Sequence, residues 1–205
     1  MTKLILIRHG ETKANTVGKL HQINAIEKLT KKGIAQMEAV AFELEKFNPH
    51  IVYSSREERA EESAKMLANK LKIPFELVSG LEKRGWGDFS GESWSEVEAV
   101  LKNMSPEERY SYVPPRGESW KDAEDRLVNA IIKILLQNED KIVTVISHGG
   151  AIRILMPYLL RLPKEETFKY NPDNASITIF DYKDGKFIKQ LVNDTTHLNK
   201  LPAKF

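Results

Sequence analysis

Apolar positions change period several times along the chain, and each change predicts an element. Residues 3–7, KLILI, are a short unbroken apolar run, as suits a strand buried on both faces of a mostly parallel sheet. Residues 29–48 then space Ile34, Met37, Ala41 and Leu44 at helical intervals behind Thr30 as an N-cap. HIVYSS, residues 50–55, is strand-like again, and residues 56–71 set Ala60, Ala64, Leu67, Ala68 and Leu71 on one helical face. Residues 118–138 keep Ala123, Leu127, Ile131 and Ile134 in line, with Ser119 and Asp122 at capping-box spacing. KIVTVISHGG, residues 141–150, repeats the opening arrangement: an apolar β-branched run ends in histidine and glycine and leads into the helical AIRILMPYLLRL. The tail, residues 175–192, alternates around Asp184 and Gly185 and predicts a hairpin.

Strands interleaved with helices and closed by a hairpin predict an α/β fold. We expect one domain over residues 1–205, a three-layer αβα sandwich around a mostly parallel mixed sheet. The pattern loosens over about residues 80–117, where the glycines of GWGDFSG and the pair Pro114 and Pro115 predict a small helical insertion. Trp86, Trp94 and Trp120, with Phe89, Tyr110 and Tyr112, gather there. A satellite core is the preferred reading, and an apolar lid over a ligand is the alternative.

Composition narrows the chemistry. Lysine and arginine total 31 against 29 acidic residues, a formal net charge of +2, so no whole-chain field calls for nucleic acid or a membrane, and any anion site must be local. With no cysteine, disulfides, thiolate metal ligands and sulfur nucleophiles are excluded. Only Leu4 to Ile7 form an apolar run before Arg8, far short of a signal sequence or membrane span, so a cytoplasmic protein is expected. His21, His50 and His197 show no metal-ligand spacing and read as surface or loop residues. No Walker, dinucleotide-binding, nucleophile-elbow or zincin motif is present. We therefore expect no metal and no cofactor.

In open α/β sheets, ligands sit beyond the carboxyl ends of the parallel strands. Arg8, His9, Ser54 and His148 all fall at such ends, and Arg59 on the following helix can join them around one anion. Gly10 is expected to let that ligand approach the backbone, and the N–H groups of Gly149 and Gly150 open a helix toward it.

The order RHGET with Asn15 beyond it, then YSSREERAEESA, then VISHGGAIR, resembles the histidine phosphatase superfamily, also called phosphoglycerate mutase-like, with weaker landmarks in GES at 117–119 and NASIT at 174–178. The resemblance implies that His9 is the nucleophile and becomes a phosphohistidine while Arg8, Arg59 and His148 hold the phosphoryl oxygens. It also implies pocket positions for Asn15 and Thr12, with Gln22 and Glu118 on the substrate side. The chemistry is consistent, because loose phosphoryl transfer needs in-line placement and neutralised oxygens, and two arginines supply permanently charged forks.

One position departs from the family. Its proton donor is a glutamate four residues before the first glycine of a Gly-x-aromatic-x-Gly pattern, which here begins at Gly87, and the count lands on Lys83. A one-residue insertion would let the adjacent Glu82 take the role, with Glu118 in reserve. The leading expectation is a phosphomonoesterase for a small phosphorylated metabolite, with His9, Glu82 and His148 catalytic. A phosphoglycerate mutase is the second reading, and a low-turnover phospho-ligand binding protein, suggested by Lys83, the third. A homodimer stays open.

Overall fold

The computed structural model describes residues 1–17, 20 and 26–202. Six strands, β1 (Thr2–Arg8), β2 (Ile51–Ser54), β3 (Phe75–Leu77), β4 (Ile142–Ser147), β5 (Ile177–Lys183) and β6 (Lys186–Asp194), form one sheet in the order β3-β2-β4-β1-β5-β6. The pairs β1 with β4, β4 with β2 and β2 with β3 run parallel, while β5 is antiparallel to both β1 and β6. Asp184 and Gly185 turn the hairpin with φ of 50° and 72°, the positive values that a two-residue turn between twisted strands demands.

The helices are α1 (Lys13–Val17), α2 (Lys31–Leu44), α3 (Glu58–Leu71), α4 (Trp94–Leu101), α5 (Pro106–Ser111), α6 (Trp120–Leu136) and α7 (Gly149–Leu160). On β1, Ile5 and Ile7 pack with α2 and α3, whereas Leu4 and Leu6 pack with α6 and α7. Burial on both faces is why the strand is apolar without alternation. This is the α/β sandwich that the periodicity predicts. Among the described residues no helix is long and apolar enough to cross a membrane.

Two details differ from expectation. In α2 the side chain of Ile34 is exposed, and Gly33 and Gln36 turn inward with Met37, Val40, Ala41 and Leu44. The cause is a close backbone approach: a Cβ on Gly33 would lie 2.2 Å from the carbonyl oxygen of Glu11, and Gln36 Oε1 accepts a hydrogen bond from Glu11 N at 2.9 Å. The aromatic residues of the 80–117 segment do not form a separate core. Trp86 and Trp120 are buried in the α6 and α7 layer, edge to face at 6.0 Å.

Register places the chemistry. Arg8 lies opposite Ser147, and Ser54 opposite Ile146. The next residue of each chain, His9, Ser55 or His148, therefore leaves the sheet at one edge.

Candidate active site

His9 is 1 % exposed and receives a fixed tautomer from its neighbours. Its Nδ1 donates to the carbonyl of Gly10 at 2.8 Å, so the lone pair resides on Nε2, aimed at Arg59 Nε 3.2 Å away. Burial, followed by the charges of His148, Arg59 and Arg8, holds its pKa well below 6.5. The ring is neutral at physiological pH.

His148 stands beside it, with ring centroids 5.2 Å apart. Arg59 bridges the two rings, because its Nη2 also donates to His148 Nδ1 at 3.0 Å. The proton of His148 consequently sits on Nε2, which lies 2.7 Å from Glu57 Oε2 and 2.7 Å from Ser55 Oγ. Burial lowers the pKa of His148, and the Glu57 carboxylate opposes that shift without cancelling it.

Glu57 caps α3 from an extended backbone, and its carboxylate turns back over the sheet edge. Oε1 accepts from Arg59 Nη2 at 2.9 Å, and Oε2 accepts from the backbone N–H of Lys83 at 3.0 Å. Burial favours the protonated acid, but His148, Arg59 and the Lys83 N–H outweigh it and hold Glu57 far below the usual carboxylate range. Neither Glu57 nor Ser55 was singled out from sequence. The available signal was their place in the segment between β2 and α3, at the same strand ends as His9 and His148.

Arg8 extends from the end of β1, anchored by Nη1 to the carbonyl of Pro172 at 2.6 Å. Burial lowers its pKa to about 10, which still leaves it charged. Glycine at 149 makes room for it, since a Cβ there would lie 3.1 Å from Arg8 Nε. Gly10 serves a different purpose from the one expected: its added Cβ would meet the Gly33 carbonyl oxygen of α2 at 2.5 Å, not a ligand.

The backbone of His9 is held from the far side. Ala175 N donates to the carbonyls of Arg8 and His9 at 3.0 and 3.3 Å, and Asn174 Nδ2 donates to His9 O and Asn15 Oδ1, each at 3.1 Å. The His197 side chain is buried rather than on the surface, and it hydrogen-bonds Ala175 O at 3.0 Å. His50 is exposed, and His21 and Gln22 lie outside the described residues.

Arg8, Arg59 and His148 line a cleft of about 630 Å³, and His9 joins it through its contact with Arg59. Arg8, Arg59, Lys83, Arg84 and Arg153 make it cationic, while Trp86, Trp94, Trp120 and Phe168 add an aromatic wall. Asn15, Gly149 and Gly150 also line it. Thr12 does not, because it is fully buried and bonds through N and Oγ1 to Asn15 Oδ1 at 3.0 and 3.1 Å.

Glu82 and Glu118 are turned away from the cleft. Glu82 Oε2 accepts from Gly80 N at 2.7 Å and lies 3.6 Å from Arg126. Glu118 Oε1 takes Gly85 N at 2.9 Å and Arg126 Nη2 at 2.5 Å. The reason is Arg126 on α6, which also donates to the carbonyls of Gly80, Glu82 and Lys83. It pins this segment so that Glu82 faces α6 and Lys83 faces the cleft. Among the described residues no three histidine or acidic side chains gather as metal ligands would.

Comparison with known proteins agrees with this geometry. The family model described as "Histidine phosphatase superfamily (branch 1)" matches residues 4–195. The chain is 31 % identical to a metal-independent phosphoserine phosphatase of Arabidopsis thaliana, over 98 % of this chain and 85 % of that protein. It is 29 % identical to a 2,3-bisphosphoglycerate-dependent phosphoglycerate mutase of Thermoplasma acidophilum, over 90 % and 89 % of the two chains. The crystal structure of a phosphoserine phosphatase from Entamoeba histolytica in complex with 3-phosphoglyceric acid superimposes with a TM-score of 0.84 at 30 % identity, covering 97 % of this chain and 100 % of that one.

Proposed function

Because the chain belongs to branch 1 of the histidine phosphatase superfamily, we propose that it hydrolyses small phosphate monoesters through a phosphohistidine at His9, without a metal ion. Neutral Nε2 attacks phosphorus in line with the ester oxygen. As the ring gains charge, the Nδ1–H bond to Gly10 O strengthens. Arg8 and Arg59 grip the equatorial oxygens, where the developing charge is spread. His148 and Glu57 hold Arg59 in place from behind, and the N–H groups at the start of α7 add their dipole.

One observation carries this reading: a single guanidinium, that of Arg59, is joined to His9 Nε2 and His148 Nδ1 at 3.2 and 3.0 Å. A phosphoryl group that displaces it from His9 is already in its hand. Rapid quench with a ³²P-labelled ester should trap acid-labile label on the wild-type chain and none on His9→Ala. Label retained by His9→Ala refutes the proposal.

The carboxylated phosphate esters in the names of the relatives, phosphoserine and 3-phosphoglyceric acid, are the first substrates to assay. The Thermoplasma relative favours a second reading, transfer back to a phosphoglycerate. Interconversion of 2- and 3-phosphoglycerate outrunning phosphate release would establish it.

A further inference from the structure

The reaction needs two proton transfers that no group placed so far supplies. An alkyl ester departs as an alkoxide and must be protonated as its P–O bond breaks, and the water that later attacks the phosphohistidine must lose a proton.

The cleft narrows the choice among the described residues. Guanidinium groups keep their protons at any working pH. His148 commits its Nε2 proton to Glu57 and Ser55 and accepts Arg59 at Nδ1. Glu57 is the carboxylate behind Arg59 and His148, but both its oxygens accept from charged or backbone donors, so it is ionised and has no proton to give. Glu82 and Glu118 sit on Arg126, and Glu27, which faces the same charges, is not among the residues that line the cleft. Lys83 lines the cleft beside Arg59 and His148.

We propose that Lys83 is the proton carrier of this site: its ammonium protonates the leaving alkoxide, and the resulting amine takes a proton from the attacking water. The proposal rests on the phosphohistidine reading above. In the first step the P–N bond to His9 forms, the P–O bond breaks, and one proton passes from Lys83 Nζ to the departing oxygen. In the second, water oxygen bonds phosphorus, the P–N electrons return to His9 Nε2, and one water proton restores the Lys83 ammonium.

The surroundings suit a lysine that must exchange. Glu57 and Arg59 face it from the start of α3, Glu27 from the segment before α2, and His148 from the head of α7. Burial, with help from Arg59, lowers its pKa from 10.5 to about 8 against the opposing pull of Glu57 and Glu27. Both protonation states are therefore within reach near neutrality, as a group acting as acid and then base requires.

The test compares wild type, Lys83→Met and Lys83→Arg on an alkyl phosphate and on 4-nitrophenyl phosphate, whose leaving group hardly needs protonation. In both variants kcat/KM for the alkyl ester should fall on the order of 10²-fold or more, and that for the aryl ester much less. The wild-type alkyl profile should decline above about pH 8, a limb lost in both variants. With the aryl ester, phosphoenzyme should accumulate after a burst, since water activation is also impaired.

Equal losses on the two esters, or alkyl turnover kept by Lys83→Arg, would overturn the proposal, because arginine preserves the charge and withholds the proton. Failure of the underlying reading looks different: no acid-labile label on the wild-type chain, whatever residue 83 is. The aryl activity and a thermal melt report whether each variant is folded.

Discussion

Glu57→Gln keeps the volume of the side chain and removes one charge and one acceptor. Three donors now converge on its two oxygens: Arg59 Nη2 at 2.9 Å, His148 Nε2 at 2.7 Å and Lys83 N at 3.0 Å. A carboxamide offers one oxygen, and its NH₂ must face one of those donors. Losing a hydrogen bond to a charged partner costs about 1.5–3 kcal/mol. Because Arg59 is the group argued to hold the phosphoryl oxygens, that energy is lost from the transition state, and at about 1.36 kcal/mol per decade it becomes roughly 10- to 150-fold in kcat/KM.

The assay is kcat/KM for 4-nitrophenyl phosphate, read together with the competitive inhibition constant of inorganic phosphate. If Glu57 works by aiming Arg59 and His148, both must weaken together, since product and transition state use the same guanidinium. A loss below about threefold, or a large loss in turnover with unchanged phosphate inhibition, refutes the reasoning.

Three further outcomes follow from other contacts. His9 and His148 both have pKa values below 6.5 because burial favours the neutral ring; below that value the unfolded chain binds protons that the folded chain refuses, so stability is lost as pH falls. Urea midpoints should be lower at about pH 5.5 than at about pH 7.5, and the difference should shrink in His148→Gln. Gly149→Ala puts a Cβ 3.1 Å from Arg8 Nε, and Arg8 is pinned to Pro172 O. KM should rise roughly tenfold while the melting temperature moves by only a few degrees, and an unchanged KM would show that Arg8 does not hold substrate. Glu82→Gln loses contacts to Gly80 N and Arg126 alone, so kcat/KM should stay within about twofold; a loss near 10²-fold would return the donor role to Glu82 and remove it from Lys83.

The elements legible in the sequence are those whose burial prints a pattern. β1 and β4 are covered on both faces and read as unbroken apolar runs, and α6 shows its stripe from Ala123 to Ile134 together with its capping box. β3 is three residues long with Glu76 exposed at its centre, too short for any period to show. Ile34 misled because the face of α2 is set by the backbone contact between Gly33 and Glu11, which periodicity does not contain. The same limit governs the site. Arg8, His9 and His148 are found by asking what stands at strand ends. Which way Glu82 and Lys83 point depends on Arg126, 44 positions away from Glu82, and Glu57 is hidden among the charges of REERAEE until the chain closes over it.

The counter-charges of the cleft explain how a chain with net charge +2 sustains so cationic a floor. Arg8 is held by the carbonyl of Pro172, and Arg84 by the carbonyls of Glu118 and Tyr112, stacked 4.1 and 4.7 Å from the ring centres of Trp86 and Trp120. A carbonyl satisfies a guanidinium N–H without cancelling its charge, and an aromatic face does so only weakly. Asp173 acts on Arg8 and Glu118 on Arg84 only through space, without an ion-pair contact, whereas Glu57 is placed in direct contact. Its charge is spent between Arg59 and His148, the two groups whose aim must be fixed, while the field of the remaining arginines stays available to a dianion. Substituting a carboxylate for one of those carbonyl anchors would hold an arginine equally well and leave the cleft a poorer host for phosphate.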